Sequence, residues 1–295
     1  MAGSSPDDRK VVLITGASSG LGAEMARIVA RQGHSLVLTA RRADRLESLA
    51  SEIAALGKGS ETLTIPAALD DSATPERLIS ETLARFGRLD VLINNAGMGL
   101  PTLFADADPD DLRRQLELNL VAPLMLARHA IPALVERKGT IINVGSAITC
   151  VPNPALGAYG ATKAGLAYWN DALRRELWDL GVTVCLVEPG PVRTEFFTAL
   201  TGLADRPGGY HPMLDAPYPW MTARAEVVAR RIVGLIEHPR RRLSVLKRFV
   251  WPWRLLGFLL RLCPPLADLG VVSVARFYEK NRPRRPVEAT PARRD

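Results

Sequence analysis

Tyr159 and Lys163 stand four residues apart within Tyr159-Gly160-Ala161-Thr162-Lys163, a spacing that puts a phenol and an ammonium one turn apart on the same helix face. A free tyrosine titrates near ~10 and is a poor proton donor or acceptor at neutral pH. A neighbouring positive charge favours the phenolate and makes that proton usable. Tyr and Lys at this spacing also occur on ordinary helix surfaces, so the rest of the chain decides what the pair means.

A second chemical feature lies near the N-terminus. The apolar run 11–15 leads straight into Thr15-Gly16-Ala17-Ser18-Ser19-Gly20-Leu21-Gly22, and a helical pattern follows. Strand, glycine turn and helix start together make a phosphate cradle, because glycines admit close backbone approach and the first helical N–H groups favour negative charge. The spacing Gly-x-x-x-Gly-x-Gly departs from the Gly-x-Gly-x-x-Gly dinucleotide fingerprint and points to another branch of nucleotide-binding folds. The second apolar run ends in Thr39-Ala40-Arg41-Arg42, where an acid would accept the ribose 2′-hydroxyl of NAD. Arg41 there suits a 2′-phosphate instead, so NADP(H) is expected over NAD(H).

The elements that must position these groups alternate along the chain. Residues 11–15, 35–39, 62–66, 89–94, 139–144 and 182–187 are continuously apolar runs, as buried parallel strands are, with a seventh at 242–246. Between them, residues 21–31, 44–56, 75–86, 109–136, 159–180 and 225–237 have helical length and periodicity. This alternation predicts an α/β fold of the Rossmann type: a doubly wound parallel sheet of about seven strands with helices on both faces. A single domain over residues 9–248 follows a short flexible lead at 1–8. Residues 195–221, rich in Pro, Gly and aromatics, are expected to form a long functional loop. Its Tyr210, His211, Tyr218 and Trp220 suggest an apolar substrate.

With a glycine turn at the start and Tyr159/Lys163 in a late helix, the chain resembles the short-chain dehydrogenase/reductase family over roughly residues 9–248. Asn94-Asn95-Ala96-Gly97 matches the family's Asn-Asn-Ala-Gly motif, and Asn119 in Leu118-Asn119-Leu120 matches its helix asparagine. Ser146, thirteen positions before Tyr159, matches its serine, and Pro189-Gly190-Pro191-Val192-Arg193-Thr194 matches its Pro-Gly-x-Val-x-Thr segment. The chain departs from the pattern at Ala67-Ala68-Leu69-Asp70, where Ala68 takes the place of an acid that holds adenine.

The resemblance implies a catalytic set of Asn119, Ser146, Tyr159 and Lys163. It implies a coenzyme site at Gly16, Ser18, Ser19, Gly20, Leu21, Gly22 and Arg41, with the Leu69 N–H left to bind adenine and Asp70 a compensating group. Asn95, Ala96, Gly97, Pro189, Gly190, Val192 and Thr194 complete that site, with Tyr159 and Lys163 shared between the two roles. In this scheme Tyr159 moves the proton on the substrate oxygen, Ser146 stabilises that oxygen, Lys163 lowers the tyrosine's pKa and holds the ribose, and Asn119 anchors a relay water. The implied activity is NADP(H)-dependent hydride transfer to or from a hydrophobic ketone, aldehyde or secondary alcohol, lipid- or steroid-like substrates included. A homodimer or homotetramer packed through the Asn119 and Tyr159 helices is implied too. The alternatives are a catalytically silent nucleotide-sensing scaffold of the same fold and a membrane-surface interaction protein.

Composition bounds the remaining classes. Over 295 residues the net charge is +7, but the excess gathers at Arg240 to Arg242 and between Arg282 and Arg294, so no nucleic-acid partner is expected. Three scattered cysteines, Cys150, Cys185 and Cys263, form no metal or disulfide framework, which suits a cytoplasmic protein with no metal site. His34, His129, His211 and His238 are equally scattered. Residues 249–280 form an apolar and basic C-terminal extension, interrupted by Pro252, Arg254 and Arg261 and therefore unsuited to spanning a bilayer. Its tryptophans, leucines and arginines suit either peripheral membrane contact or packing on the protein or a partner subunit. Residues 281–295 read as a disordered basic tail.

Overall fold

The computed structural model describes residues 9–56, 59–150, 152–196 and 222–245, with residues 254, 255, 257, 258, 262 and 269 as single positions. Seven strands, β1 (Val11–Thr15), β2 (Ser35–Ala40), β3 (Thr62–Pro66), β4 (Val91–Asn94), β5 (Thr140–Val144), β6 (Thr183–Glu188) and β9 (Arg242–Ser244), form one sheet in the order β3-β2-β1-β4-β5-β6-β9. Every neighbouring pair is parallel. The expected doubly wound architecture is thus present. The order reverses between β1 and β4, and ligands of such sheets bind at the carboxyl ends beside that switch point. Two short strands, β7 (Val192–Arg193) and β8 (Ala223–Arg224), pair separately.

Alternation along β1 shows why both faces need helices. Val12 and Ile14 enter one core with α1 (Gly20–Arg31), α2 (Ala43–Ala55) and α7 (Ala225–Val233). Val11 and Leu13 enter the other core, with α3 (Thr74–Phe86), α5 (Ala122–Arg137) and α6 (Gly157–Glu176).

The helix expected over 109–136 is not continuous. It runs as α4 (Pro109–Leu116), a π-helical turn at Glu117–Val121, and α5. Pro123 has no N–H to give the Asn119 carbonyl, its partner in a regular α-helix. The whole run Pro109–Arg137 is apolar enough to cross a membrane by length and a hydropathy of 1.5, yet Leu126, Ala127, Ala130 and Leu134 are core residues here. The expectations for 1–8, most of the 195–221 loop, Cys263, His211, most of 249–280 and 281–295 lie outside the described residues.

Candidate active site

The end of β5 and the start of α6 meet at Tyr159. The phenol lies in the first turn of α6 and forms a side-chain hydrogen bond with Ser146, two residues past β5. Lys163 Nζ, one turn on and 5% exposed, donates to the Val144 carbonyl at 2.9 Å. It lies 6.0 Å from the centre of the Tyr159 ring. Asn119 sits on the π-helical turn and is fully buried. Its Oδ1 accepts from Met98 N at 2.8 Å, while Nδ2 donates to Met98 O at 2.7 Å and Thr162 Oγ1 at 3.2 Å. Thr162 Oγ1 in turn donates to the Tyr159 carbonyl at 2.8 Å. A Cβ on Gly97 would lie 3.1 Å from Asn119 Oδ1 and 3.6 Å from Lys163 Nζ. The four residues expected to act together therefore are together, with Thr162 as a strut that sequence spacing did not single out.

The charge balance differs from the expectation that Lys163 acidifies the phenol. Although Tyr159 keeps partial solvent contact, burial of the phenol pushes its pKa up, and the Ser146 hydrogen bond only partly opposes this. Burial pushes the Lys163 ammonium down to about 8. Desolvation penalises the charged form of each group and is the leading cause of both shifts.

The glycine turn is built for close packing. Gly16 and Gly20 adopt left-handed φ values of 67° and 54°, which non-glycine residues rarely take. A Cβ on Gly16 would meet Ala96 Cα at 3.0 Å, and one on Gly22 would lie 2.2 Å from the Gly16 carbonyl oxygen. Thr15 Oγ1 accepts from both Asn95 N and Ala96 N at 2.9 Å, tying the Asn-Asn-Ala-Gly segment to the turn. Gly20 faces Thr194, whose Cβ a side chain there would meet at 3.1 Å. Helix α1 has no side-chain cap at Ser19 and no acid in its first turn. Its leading N–H groups suit a phosphate, so the cradle fits a dinucleotide.

Arg41 is exposed just past β2, while the contacts to the turn come from Arg42. Arg42 donates from Nη2 to Ser18 Oγ at 3.1 Å and Ser19 Oγ at 2.8 Å. Its Nη1 lies 3.0 Å from Glu195 Oε2, and Arg45 binds the other oxygen of the same carboxylate. These two guanidinium groups, Arg45 first, hold the Glu195 carboxyl below the usual carboxylate range. Neither Arg45 nor Glu195 carries a local signal, since the contact joins residues 150 apart in sequence.

Past β6, Val192 is buried and pairs with Ala223. The Pro189 carbonyl accepts from Ala147 N at 3.0 Å, joining the Pro-Gly segment to the Ser146 loop. Phe196 lies over Tyr159, ring centres 6.1 Å apart. Leu69 packs into the core, and Asp70 is committed to Arg114 at 3.0 Å, so the expected adenine compensation finds Asp70 already paired. Leu100, Phe104, Leu112, Pro154, Ala155 and Ala158 line a mainly apolar cavity of about 230 Å³ that reaches the start of α6. Among the described residues no group of His, Cys, Asp or Glu is arranged to hold a metal.

The family model for short chain dehydrogenase matches residues 10–202. A relative named 11-beta-hydroxysteroid dehydrogenase-like 2 from Arabidopsis thaliana is 38% identical over 191 residues, covering 64% of this chain and 61% of its own. The chain thus spans about three-fifths of that relative's length. Serine 3-dehydrogenase from Rhizobium radiobacter is 35% identical over 192 residues, covering 65% of this chain and 75% of its own. A solved short-chain dehydrogenase from Sphingobium yanoikuyae in complex with NADPH superposes with a TM-score of 0.72 at 28% identity, over 96% of this chain and 99% of that one. Motifs, topology and these likenesses agree, and the chain belongs to the short chain dehydrogenase family.

Proposed function

We propose that this chain is an NADP(H)-dependent oxidoreductase acting on a hydrophobic ketone, aldehyde or secondary alcohol. The observation that carries the reading is the hydrogen-bonded Ser146–Tyr159 pair beside a buried Lys163, at the carboxyl edge of the sheet next to a glycine cradle. A nicotinamide dinucleotide in that cradle would supply the hydride. The Tyr159 hydroxyl gives the substrate oxygen its proton in reduction and takes it back in oxidation. Ser146 donates a hydrogen bond to the same oxygen and stabilises its developing charge. Lys163 supplies the positive charge beneath the ribose. The Asn119 side chain is spent on Met98 and Thr162, so its main-chain carbonyl is the group that would hold a relay water.

NADP(H) preference is supported by Arg41 and Arg42 just past β2, Arg42 bonding Ser18 of the glycine turn, and by the NADPH named with the Sphingobium structure. The apolar cavity at the start of α6, the helix of Tyr159, supports a hydrophobic substrate. NADPH oxidation against aldehydes and ketones of graded chain length tests the reading. The Tyr159→Phe variant should lose at least ~100-fold in turnover while still binding NADPH; retained turnover overturns it.

Two exposed surfaces favour further partners. Leu116, Val121 and Tyr168 are 45, 37 and 83% exposed on the helices that carry Asn119 and Tyr159, which supports a homo-oligomer. Leu255, Phe258, Leu262 and Leu269 are at least half exposed, which favours peripheral contact with a membrane through 249–280. Sedimentation with and without anionic vesicles tests both.

A further inference from the structure

Glu195 occupies an unusual place for a carboxylate. Its Oε2 lies 3.0 Å from Arg42 Nη1 and its Oε1 pairs with Arg45, while Arg42 also holds Ser18 and Ser19 of the glycine turn. The residue before it, Thr194, packs on Gly20, and the residue after it, Phe196, packs against the ring of Tyr159 with centres 6.1 Å apart and planes tilted by 42°. One dipeptide therefore reaches from the basic cluster at the coenzyme's adenosine end to the phenol that does the chemistry. Both arginines and Glu195 are roughly half exposed, at 41, 44 and 52%. Ion pairs of that exposure are worth only about 0–1 kcal/mol, so the contact is weak enough to be exchanged. A phosphate monoester, at about −1.5 to −2 charges and three acceptor oxygens, outcompetes one carboxylate for a pair of guanidinium groups.

We propose that Glu195 is an internal stand-in for the coenzyme's 2′-phosphate, and that its displacement by a 2′-phosphorylated nucleotide draws Phe196 off Tyr159 and clears the space above the phenol. Glu195 is then a specificity-determining residue that couples recognition of the 2′-phosphate to access at the reacting end. The inference rests on the NADP(H) reading of the Arg42 cluster.

Binding rather than turnover is the readout. Calorimetric titration with NADPH, NADH, 2′,5′-ADP and AMP compares the intact chain with Glu195→Gln and Arg42→Ala. Glu195→Gln should tighten NADPH and 2′,5′-ADP about 3–5-fold, the scale of an exposed ion pair, and leave NADH and AMP unchanged. An equal gain for all four ligands, or no gain, overturns the proposal. If Arg42→Ala leaves NADPH and 2′,5′-ADP binding untouched as well, the coenzyme reading of the cluster has failed too; if Arg42→Ala weakens them while Glu195→Gln changes nothing, only the stand-in role has failed. A second readout uses Phe196→Trp, whose added emission should shift on 2′,5′-ADP but not on AMP, and should be pre-shifted when combined with Glu195→Gln. An added emission indifferent to 2′,5′-ADP overturns the coupling.

Discussion

Burial holds the Lys163 ammonium at about 8 against an ordinary 10.5, and the direction of that shift sets two opposed pH effects. A base whose folded pKa is depressed is protonated at a cost to stability below about 8, and that cost is relieved as pH rises from about 8 towards 10.5. On the proposed role of Lys163 at the ribose, coenzyme affinity runs the other way, because the folded ammonium loses its charge as pH passes about 8. NADPH binding is expected to weaken above pH 8 while the thermal midpoint of the free protein gains from this residue. Lys163→Met should flatten both curves, and titrations at stepped pH would expose a flat parent curve if the account is mistaken. At this scale the sequence was largely legible. Tyr159, Lys163, Ser146 and Asn119 meet as their motifs imply. The Glu195 contacts were not legible, since nothing near residue 195 foretells residues 42 and 45.

Strands and helices were readable because parallel strands buried on both faces are mostly apolar, and β1, β2 and β5 are buried at every residue. The π-helical turn was hidden for a related reason: periodicity over 109–136 averages across a single irregular turn, and only the Asn119–Pro123 spacing marks it. Asp90 shows how one side chain joins several elements. Its Oδ2 accepts from Val11 N at 2.8 Å and Arg88 Nε at 2.9 Å, and its Oδ1 accepts from Arg137 Nε of α5 at 3.3 Å. Asp90→Ala leaves a buried strand N–H and two guanidinium groups without that acceptor, so urea unfolding should show a loss of about 2–4 kcal/mol. Asp90→Asn, which keeps one acceptor oxygen, should lose less. Equal midpoints for the alanine variant and the parent would remove Asp90 from this role.

Across the whole molecule, the nearly buried Glu188 ties three distant pieces of chain together. It ends β6 immediately before Pro189, meets Arg242 of β9 at 3.1 Å, and pairs with Arg254 beyond the sheet. Residue 254 of the extension is thereby tied to the carboxyl end of β6, and Gly257 is buried on the protein. Leu255 and Phe258 nevertheless face outward at 50 and 59% exposure. The sequence left membrane contact and packing on the protein as alternatives, but this arrangement allows both at once, a docked side and an outward apolar side. In the sedimentation experiment the intact chain is expected to pellet with anionic vesicles and to lose that property when Leu255 and Phe258 become Ser, with assembly size unchanged. Failure of the intact chain to pellet removes the membrane reading and leaves packing on the protein.

The π-helical turn at Glu117–Val121 also has a bearing on how the chain can change over time. It amounts to one surplus residue in an otherwise regular helical run. Deleting a residue there would restore regular helical hydrogen bonding and remove the widened turn that carries Asn119. Asn119 would then swing away from Met98, and Thr162 would lose its partner. Substitutions in this stretch are a question of chemistry, whereas changes in its length are a question of phase. A change of length in this turn therefore costs the Asn119 contacts, whereas a substitution at an outward position such as Val121 does not.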